Sequence, residues 1–313
     1  MRIRTFQPGD EALQASIYNR AAAALPRFKP ATTQEVQRRS RARDFDPAAH
    51  FFVEQMGETV GYAHFLPNGR VSRAWTLPGH EALAGPLFAH LLSAMKERGF
   101  RKVFAAYRGD WLEVHDFLLG HGFGKARDIV NYAIDLVDMP TPPARPSSGI
   151  TPLRPDDLPA LFTLVPGLVQ LASVADWEKH LFHNPQIPAD AAFVLRSHDG
   201  NTPLAVGILV TDPNYASPGN VDANMPCYRL GAFGNELMSV KRINGLFSFL
   251  AANDAKLSPL GLDLMGHAAY RLRETDDVES LAAQAPSDAD GLTWFYQRNF
   301  RRQGSFPVFE RQL

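Results

Sequence analysis

A proline-rich stretch near the middle of the chain separates two halves of similar length. Residues 138–149 read DMPTPPARPSSG, with four prolines and two serines. This composition is typical of an extended, semi-rigid linker. Because the whole chain has 313 residues, each half has the length of an ordinary domain. The sequence therefore predicts an N-terminal domain over 1–137 and a C-terminal domain over 150–313, joined by a linker over 138–149.

The residues after this linker repeat the pattern with which the chain begins. Four positions of the first half match four of the second at a constant offset of 147: Ile3, Phe6, Pro8 and Asp10 with Ile150, Leu153, Pro155 and Asp157. Three short apolar runs separated by turn residues follow in each half, over 51–54, 60–66 and 70–77, and over 191–196, 204–211 and 228–233. Such repetition predicts one fold made twice.

The remaining elements define the class of this fold. Residues 87–98 place four apolar side chains on one helical face, and Gly99 follows as a helix-ending glycine. A strand is predicted over 102–107, a helix over 111–119 and a closing strand over 128–137, and the chain ends in an alternating strand over 305–311. Each half is therefore predicted to be an α+β domain.

Composition and charge exclude several classes of protein. Hydrophobic residues make up 45% of the chain, enough for two conventional cores, and the formal net charge of −1 lacks the basic excess typical of nucleic-acid binding. The single cysteine permits no internal disulfide, and no set of three metal ligands stands out, so no metal is expected. Neither a signal peptide nor a membrane span is evident in the sequence. A soluble, cytoplasmic protein without a membrane or nucleic-acid partner is expected.

A glycine follows three residues after Arg242 in the stretch 237–247, which reads LMSVKRINGLF. Together with the order of elements, this stretch resembles the GNAT-type N-acetyltransferases, whose pyrophosphate-binding loop has the form Gln/Arg-x-x-Gly-x-Gly/Ala. The resemblance implies two tandem GNAT-like domains, each a mixed, mostly antiparallel sheet flanked by helices. It also implies a pyrophosphate loop at Gly245, with Phe247 where a small residue is usual, and a following helix on which Leu250 is the first buried leucine.

The resemblance places acetyl-CoA in the C-terminal half. Glycines allow close approach of the ligand, and free amides at a helix N-terminus favour its negative charge. The residues expected to bind it are Leu237, Met238, Ser239, Lys241, Arg242, Ile243, Asn244, Gly245, Leu246 and Phe247. The corresponding stretch of the first half, 79–84, reads GHEALA and has lost the family pattern. The N-terminal copy is therefore predicted to be degenerate.

The resemblance also suggests two catalytic residues. Glu236 lies where the family often has the base that deprotonates the incoming amine. Strict spacing places Phe295 at the position of the family's general-acid tyrosine, and Tyr296 one residue later, so Tyr296 is the candidate acid. In the first half the tyrosine position is Leu118, which cannot donate a proton.

The leading interpretation is a tandem protein whose C-terminal half transfers an acetyl group from acetyl-CoA directly to a small-molecule or protein amine. The main alternative is a non-catalytic acyl-CoA-binding or sensor protein. A third is that the irregular segments 212–227 and 273–288 shape a pocket for another ligand. The sequence leaves the oligomeric state open, a homo-oligomer included.

Overall fold

The chain divides into two compact units whose boundaries differ from those expected from the sequence. Unit 1 comprises Met1–Asp128 and Phe306–Leu313, and unit 2 comprises Ile129–Ser305. The proline-rich stretch does not separate them, because it lies within unit 2. The computed structural model describes residues 1–42, 45–145, 147–164, 173–183, 188, 190–211, 245–251, 257–273 and 278–313.

Unit 1 follows the predicted order of elements. Its strands are β1 (Arg2–Thr5), β2 (His50–Gln55), β3 (Glu58–His64), β4 (Trp75–Thr76) and β5 (Lys102–Ala106). The first four form an antiparallel sheet in that order. Its helices are α1 (Asp10–Ala21), α2 (Thr33–Ser40), α3 (Ala84–Glu97) and α4 (Leu112–Gly120).

Helix α3 shows how the sequence pattern becomes packing in unit 1. The apolar positions recur at helical spacing and are all buried: Leu87, Phe88, Leu91, Leu92 and Met95. The chain leaves the helix at Gly99, where φ is 84°, a value that glycine adopts without strain. The predicted helix face and its ending glycine are both present.

Six neighbouring strands of an eight-stranded sheet, together with four helices, lie among the described residues of unit 2. Strand β6 (Gly124–Asp135) enters it at Ile129, and its other strands are β7 (Ile150–Pro152), β8 (Ala192–Arg196), β9 (Pro203–Val210), β10 (Gly245–Ala251) and β11 (Ser280–Pro286). The order across the sheet is β6-β11-β10-β9-β8-β7. The helices are α5 (Leu158–Leu164), α6 (Val174–Phe182), α7 (Leu257–Leu272) and α8 (Asp290–Asn299).

Each unit takes its closing strand from a distant part of the chain. In unit 2, β6 pairs antiparallel with β11 over seven residue pairs, from Ile129 opposite Pro286 to Asp135 opposite Ser280. In unit 1, the last strand of the chain, β12 (Arg301–Gln312), pairs antiparallel with β5 from Val308 onward. The sequence predicts both strands and groups each with the half in which it lies along the chain, because strand periodicity carries no information about the partner strand.

A glycine in α7 lets this helix pack directly against the sheet of unit 2. A Cβ atom at Gly261 would lie 2.5 Å from the Phe249 ring and 2.8 Å from the Phe295 ring. Both rings are almost completely buried in the same core. The close approach of helix and strand therefore depends on the missing side chain.

We expect Gly261→Ala to destabilise unit 2 by about 1–3 kcal/mol, because overpacking forces buried rings out of position. Gly266→Ala is the matched control in the same helix, since nothing lies within 4 Å of a Cβ there. It should instead stabilise by about 0.5–1 kcal/mol through helix propensity. Urea unfolding of both variants measures the two effects, and equal changes would contradict this packing.

Candidate functional site

Two parallel strands of unit 2 separate partway along their length. Strands β10 and β11 pair only at Gly245 with Leu281 and at Leu246 with Ala282. Beyond that point β10 stays paired with β9 as far as Ala251, and β11 stays paired with β6 as far as Pro286. Backbone groups on the facing edges of the gap lack a ladder partner across it. Since backbone polar groups are rarely left unsatisfied, a ligand or water is expected there.

Tyr296 lies beside this gap. It is on α8, is 1% exposed, and its ring is 5.9 Å from that of Phe249 and 5.5 Å from that of Tyr132. Its hydroxyl is buried and has no hydrogen-bond partner of good geometry among the described residues. Burial raises the pKa of Tyr296. The backbone of Phe249 and the side chain of Ser248, both on β10, lower this pKa by a smaller amount. The hydroxyl therefore keeps its proton at neutral pH and lies next to the unpaired part of β10.

The residues predicted to form the front of the pyrophosphate loop lie instead in a strand. Gly245, Leu246 and Phe247 begin β10, and Leu250 belongs to the same strand rather than to a following helix. The physical reason is burial on both faces: Phe247 packs in the core with α7 and α8, and Leu246 packs in the core on the opposite face. Apolar runs of this kind are typical of central strands. The prediction of a loop and helix start here is wrong.

A glycine is needed at position 245 for the packing of two strands and not for contact with a ligand. A Cβ atom there would lie 2.5 Å from Cδ2 of Leu281 on β11. The glycine thus allows β10 and β11 to meet at the one place where they pair. Helix α7 begins at Leu257, so the connection from β10 to this helix spans 252–256, which is outside the described residues.

Most of the other predicted site residues also lie outside the described part of the chain. These are Glu236, Leu237, Met238, Ser239, Lys241, Arg242, Ile243 and Asn244. The segment 212–227 lies outside it as well. Of the predicted catalytic pair, only Tyr296 can be placed.

The corresponding gap in unit 1 is filled by the protein's own side chains. The chain before β4 meets β5 where the N–H of Val71 donates to the carbonyl of Phe104, at 2.8 Å. Further on, the N–H of Arg73 donates to the hydroxyl of Tyr107, at 2.6 Å, rather than to a backbone carbonyl. Nη2 of Arg70 also donates to the carbonyl of Ala106, at 3.2 Å. Tyr107 and Arg70 thus satisfy backbone groups that a ligand would otherwise meet.

In the loop before α3 of unit 1, a carboxylate side chain accepts a backbone hydrogen bond. Gly79 donates its N–H to Oε1 of Glu81, at 2.8 Å. Hydrogen bonds from the backbone of Glu81 and Gly79 lower the pKa of this carboxylate. The negative group therefore lies where the amides before a helix would otherwise attract a phosphate.

The position of the general acid in unit 1 is also occupied by an apolar side chain. Leu118 is fully buried on α4, within the unit 1 core. The guanidinium of Arg73 lies 5.1 Å from the ring of Trp75 and 5.3 Å from that of Phe117. Sequence analysis predicted a lost loop and a lost acid in unit 1 but did not single out Tyr107 and Arg73. In the sequence, only their positions could have pointed to these residues, since Tyr107 directly follows β5 and Arg73 shortly precedes β4.

Two stacked histidines make the stability of unit 1 depend on pH. His50 on β2 and His64 on β3 are opposite each other, with ring centroids 4.9 Å apart. Burial lowers the pKa of His50 to about 4, despite the nearby carboxylate of Asp46. Burial, with the charges of His50, Arg39 and Arg70, holds the pKa of His64 well below its usual value. Both rings are therefore neutral in the folded protein.

We expect the free energy of unfolding of unit 1 to fall as the pH drops from about 6.5 towards 4. In that window the unfolded chain takes up protons that the folded state does not bind. The difference in pKa of His50 alone should lower the free energy of unfolding by roughly 3 kcal/mol. His50→Phe, which keeps a ring among Phe6 and Phe45, should reduce this slope. Urea unfolding at several pH values measures it, and an unchanged slope in His50→Phe would contradict the assignment.

Comparison with known proteins identifies the fold. The chain matches no protein-family profile. A segment of 88 residues is 35% identical to the mycothiol acetyltransferase of Acidothermus cellulolyticus, covering 26% of this chain and 27% of that protein. The chain thus matches about a quarter of the length of this curated relative.

Similarity to solved structures extends over almost the whole chain. The GCN5-related N-acetyltransferase of Sphaerobacter thermophilus superimposes over 99% of this chain and 95% of its own, with a TM-score of 0.64 and 16% identity. A tandem GNAT protein from the clavulanic acid biosynthesis pathway superimposes over 99% and 98%, with a TM-score of 0.57 and 13% identity. The chain therefore has the fold of the GNAT N-acetyltransferases. It is the tandem, α+β form of that fold, as the sequence predicts.

Two further features concern the described residues only. None of the helices in these ranges is both long and apolar enough to cross a membrane. The same ranges contain no group of three or more His, Cys, Asp or Glu side chains arranged to hold a metal ion.

Proposed function

We propose that unit 2 binds acetyl-CoA in the gap between β10 and β11 and transfers its acetyl group to an amine. The observation that carries this proposal is the Tyr296 hydroxyl, which is buried and has no hydrogen-bond partner of good geometry among the described residues. It lies beside the edge of β10 that is unpaired beyond Leu246. Buried polar groups are normally satisfied, so an exception in a gap points to a ligand. The likeness of one segment to a mycothiol acetyltransferase supports acetyl transfer.

The chain's own groups can assist each part of the transfer. A carbon–nitrogen bond forms, the carbon–sulfur bond of the thioester breaks, and the amine loses a proton. Backbone N–H groups of β10 beyond Leu246 would polarise the thioester carbonyl. Tyr296, kept protonated by burial, would donate a proton to the departing thiolate. Glu236 remains the proposed base for the incoming amine.

The remaining parts of the proposed acetyl-CoA site follow from the sequence. Leu237, Met238 and Ser239 remain proposed contacts, as do Ile243 and Asn244, with Lys241 and Arg242 proposed for the phosphates. Gly245, Leu246 and Phe247 would contribute through the backbone of β10, since their side chains are packed in the cores.

Unit 1 is proposed not to bind acetyl-CoA. Three features support this. The N–H of Arg73 already donates to the hydroxyl of Tyr107, and the N–H of Gly79 already donates to the carboxylate of Glu81. Leu118 lies at the position where a general acid is expected. A ligand would have to displace groups that are already hydrogen-bonded, which costs more than displacing water.

The acceptor is proposed to be a small-molecule or protein amine, in a cytoplasmic protein that acts without a nucleic-acid or membrane partner. The alternative function is a non-catalytic acyl-CoA-binding or sensor protein. The position of Phe247 in the expected loop favoured this alternative and that of Gly245 favoured the enzyme, but both residues belong to β10. The one-residue offset of Tyr296 still favours the alternative.

Calorimetric titration of acetyl-CoA into the whole chain tests the proposal. One molecule bound per chain is the expected result, since among the described residues the gap in unit 2 is open and the corresponding gap in unit 1 is filled. No binding would contradict the proposal, and two molecules per chain would contradict the assignment of unit 1.

A further inference from the structure

Two amide side chains of unit 2 are joined by a hydrogen bond at the edge of the gap. Asn131 on β6 and Gln284 on β11 lie opposite each other in the ladder between these strands. Nε2 of Gln284 donates to Oδ1 of Asn131, at 3.0 Å. Asn131 is fully buried, whereas Gln284 is partly exposed. We call these two residues the amide pair.

The alternation of side chains along β11 places the amide pair where the gap opens. Leu281, Ala283 and Ala285 pack in the core with α7 and α8. Gln284 therefore lies on the other face of the sheet, together with Ala282. Ala282 is the last residue of β11 that pairs with β10. Gln284 is thus the first side chain on that face beyond the point at which the two strands separate.

The candidate acid lies on the opposite face of the same gap. Tyr296 packs in the core with α7 and α8, and its ring is 5.9 Å from that of Phe249 on β10. If the register of β10 and β11 continued beyond Ala282, Gln284 would lie opposite Ser248, the neighbour of Phe249. The departing sulfur and the incoming amine take different positions around the carbonyl carbon. With the sulfur towards Tyr296, the amine is expected from the face that carries the amide pair.

Each member of the amide pair has a hydrogen-bonding group left over. Nδ2 of Asn131 is enclosed by protein and has no partner of good geometry among the described residues. In the same ranges, the side chain of Gln284 makes no hydrogen bond besides the one to Asn131. Turning both amides by 180° would still leave one donor and one acceptor. A buried polar group without a partner is costly, so a ligand is expected to supply one.

The chemistry of the amide pair indicates which group of a ligand it fits. The pair is uncharged, and Asp135, further along the same face of β6, is already neutralised. Its carboxylate accepts from Oγ of Ser280 at 2.8 Å and pairs with Arg301 at 2.5 Å. One donor and one acceptor without charge match the carbonyl and the N–H of another amide better than a carboxylate, which can only accept.

We propose that the amide pair binds the acceptor and selects amines whose chain carries an amide group, as in an amino-acid amide. Asn131 donates to the carbonyl oxygen of that amide, and Gln284 accepts from its N–H group. This inference rests on the proposed transfer in unit 2, because it assigns the acceptor of that reaction. A site whose own polar groups need partners discriminates strongly against a ligand that leaves them unpaired.

Release of free CoA with three amines of similar size tests the acceptor class: glycinamide, glycine and propylamine. The ratio of kcat/KM for glycinamide to that for propylamine should fall roughly 10- to 100-fold in Asn131→Leu, because a buried hydrogen-bonding partner is lost. Gln284→Leu should lower the same ratio. Comparing each variant with the unaltered protein at one pH removes the effect of the different basicities of the amines. Glycine should be a poorer acceptor than glycinamide in the unaltered protein.

Gln303→Leu is the matched control, because Gln303 lies on β12, on the side of β6 away from β11. It should leave the ratio unchanged. Calorimetry with acetyl-CoA and circular dichroism on every variant should match the unaltered protein. Because Gln284 is partly exposed, Gln284→Leu decides the test if Asn131→Leu does not fold.

The outcomes separate this inference from the proposed function. If acetyl-CoA binds and propylamine is acetylated, but the ratio is unchanged in Gln284→Leu, the amide pair does not select the acceptor and the proposed function stands. Equal loss of the ratio in Gln303→Leu would overturn the inference in the same way. If acetyl-CoA does not bind, or no amine is acetylated, the proposed function fails and this inference fails with it.

Discussion

With phenylalanine in place of Tyr296, kcat for acetyl transfer should fall about 10²- to 10⁴-fold, the usual contribution of a general acid. Affinity for acetyl-CoA should change little, because the ring that packs against Phe249 and Tyr132 is kept. The kcat effect is expected because the buried hydroxyl lies beside the edge of β10 that faces the gap. Release of free CoA in the presence of an amine acceptor, together with calorimetry, measures both quantities.

Tyr132→Phe is the matched control for this experiment. Tyr132 is also fully buried, and its ring stacks on Tyr296. Its hydroxyl has no hydrogen-bond partner of good geometry among the described residues, although the side chains of Gln297 and Thr293 lie near it. The same chemical change there should leave kcat within an order of magnitude of the unaltered protein. If Tyr296→Phe retained full activity, or if both variants lost it equally, Tyr296 would not be the acid.

Separate expression of residues 1–137 and 150–313 should yield two chains that do not fold cooperatively. The cut removes β6 from unit 2, so β11 loses seven paired residues and Tyr132 leaves the core around Tyr296. It also removes the end of β12 from unit 1, so β5 loses its partner and Phe309 leaves that core. Each buried side chain of this size contributes about 1.5–3 kcal/mol, against a total stability of about 5–15 kcal/mol.

A fragment over 129–305 is the control for the split chain. It retains the part of β6 that pairs with β11 and the whole of unit 2 while omitting unit 1, so it should remain soluble and unfold cooperatively. Urea unfolding followed by circular dichroism compares the three fragments with the whole chain. Cooperative unfolding of both 1–137 and 150–313 would contradict the exchange of closing strands.

Much of the fold could be predicted because it depends on local pattern. The buried face of α3 and the alternating strands of each half are periodic features, and their repetition predicts a tandem fold. Membership of β6 and β12 in particular units could not be predicted in this way. Which strand pairs with which is decided by contacts between residues more than a hundred positions apart, such as Asp135 with Ser280.

The candidate site was harder to predict than the fold, for a similar reason. The sequence suggested that Gly245 is a loop glycine. In the structure its lack of a side chain allows the close approach of Leu281. A sequence records that a glycine is present but not whether a ligand or a neighbouring strand requires it. Tyr296 could be nominated because its motif ends in an aromatic residue, Phe300, at the expected place in the chain. Its position beside the edge of β10 that faces the gap became visible only in three dimensions.

Hydrogen–deuterium exchange of the whole chain, with and without saturating acetyl-CoA, tests the central claim most directly. The claim is that unit 2 holds the ligand between β10 and β11 while the same gap in unit 1 is filled. Slower exchange is therefore expected in peptides covering 245–251 and 280–286, with no change over 73–83 and 102–107. Protection confined to the unit 1 peptides, or absent from both sets, would contradict the claim.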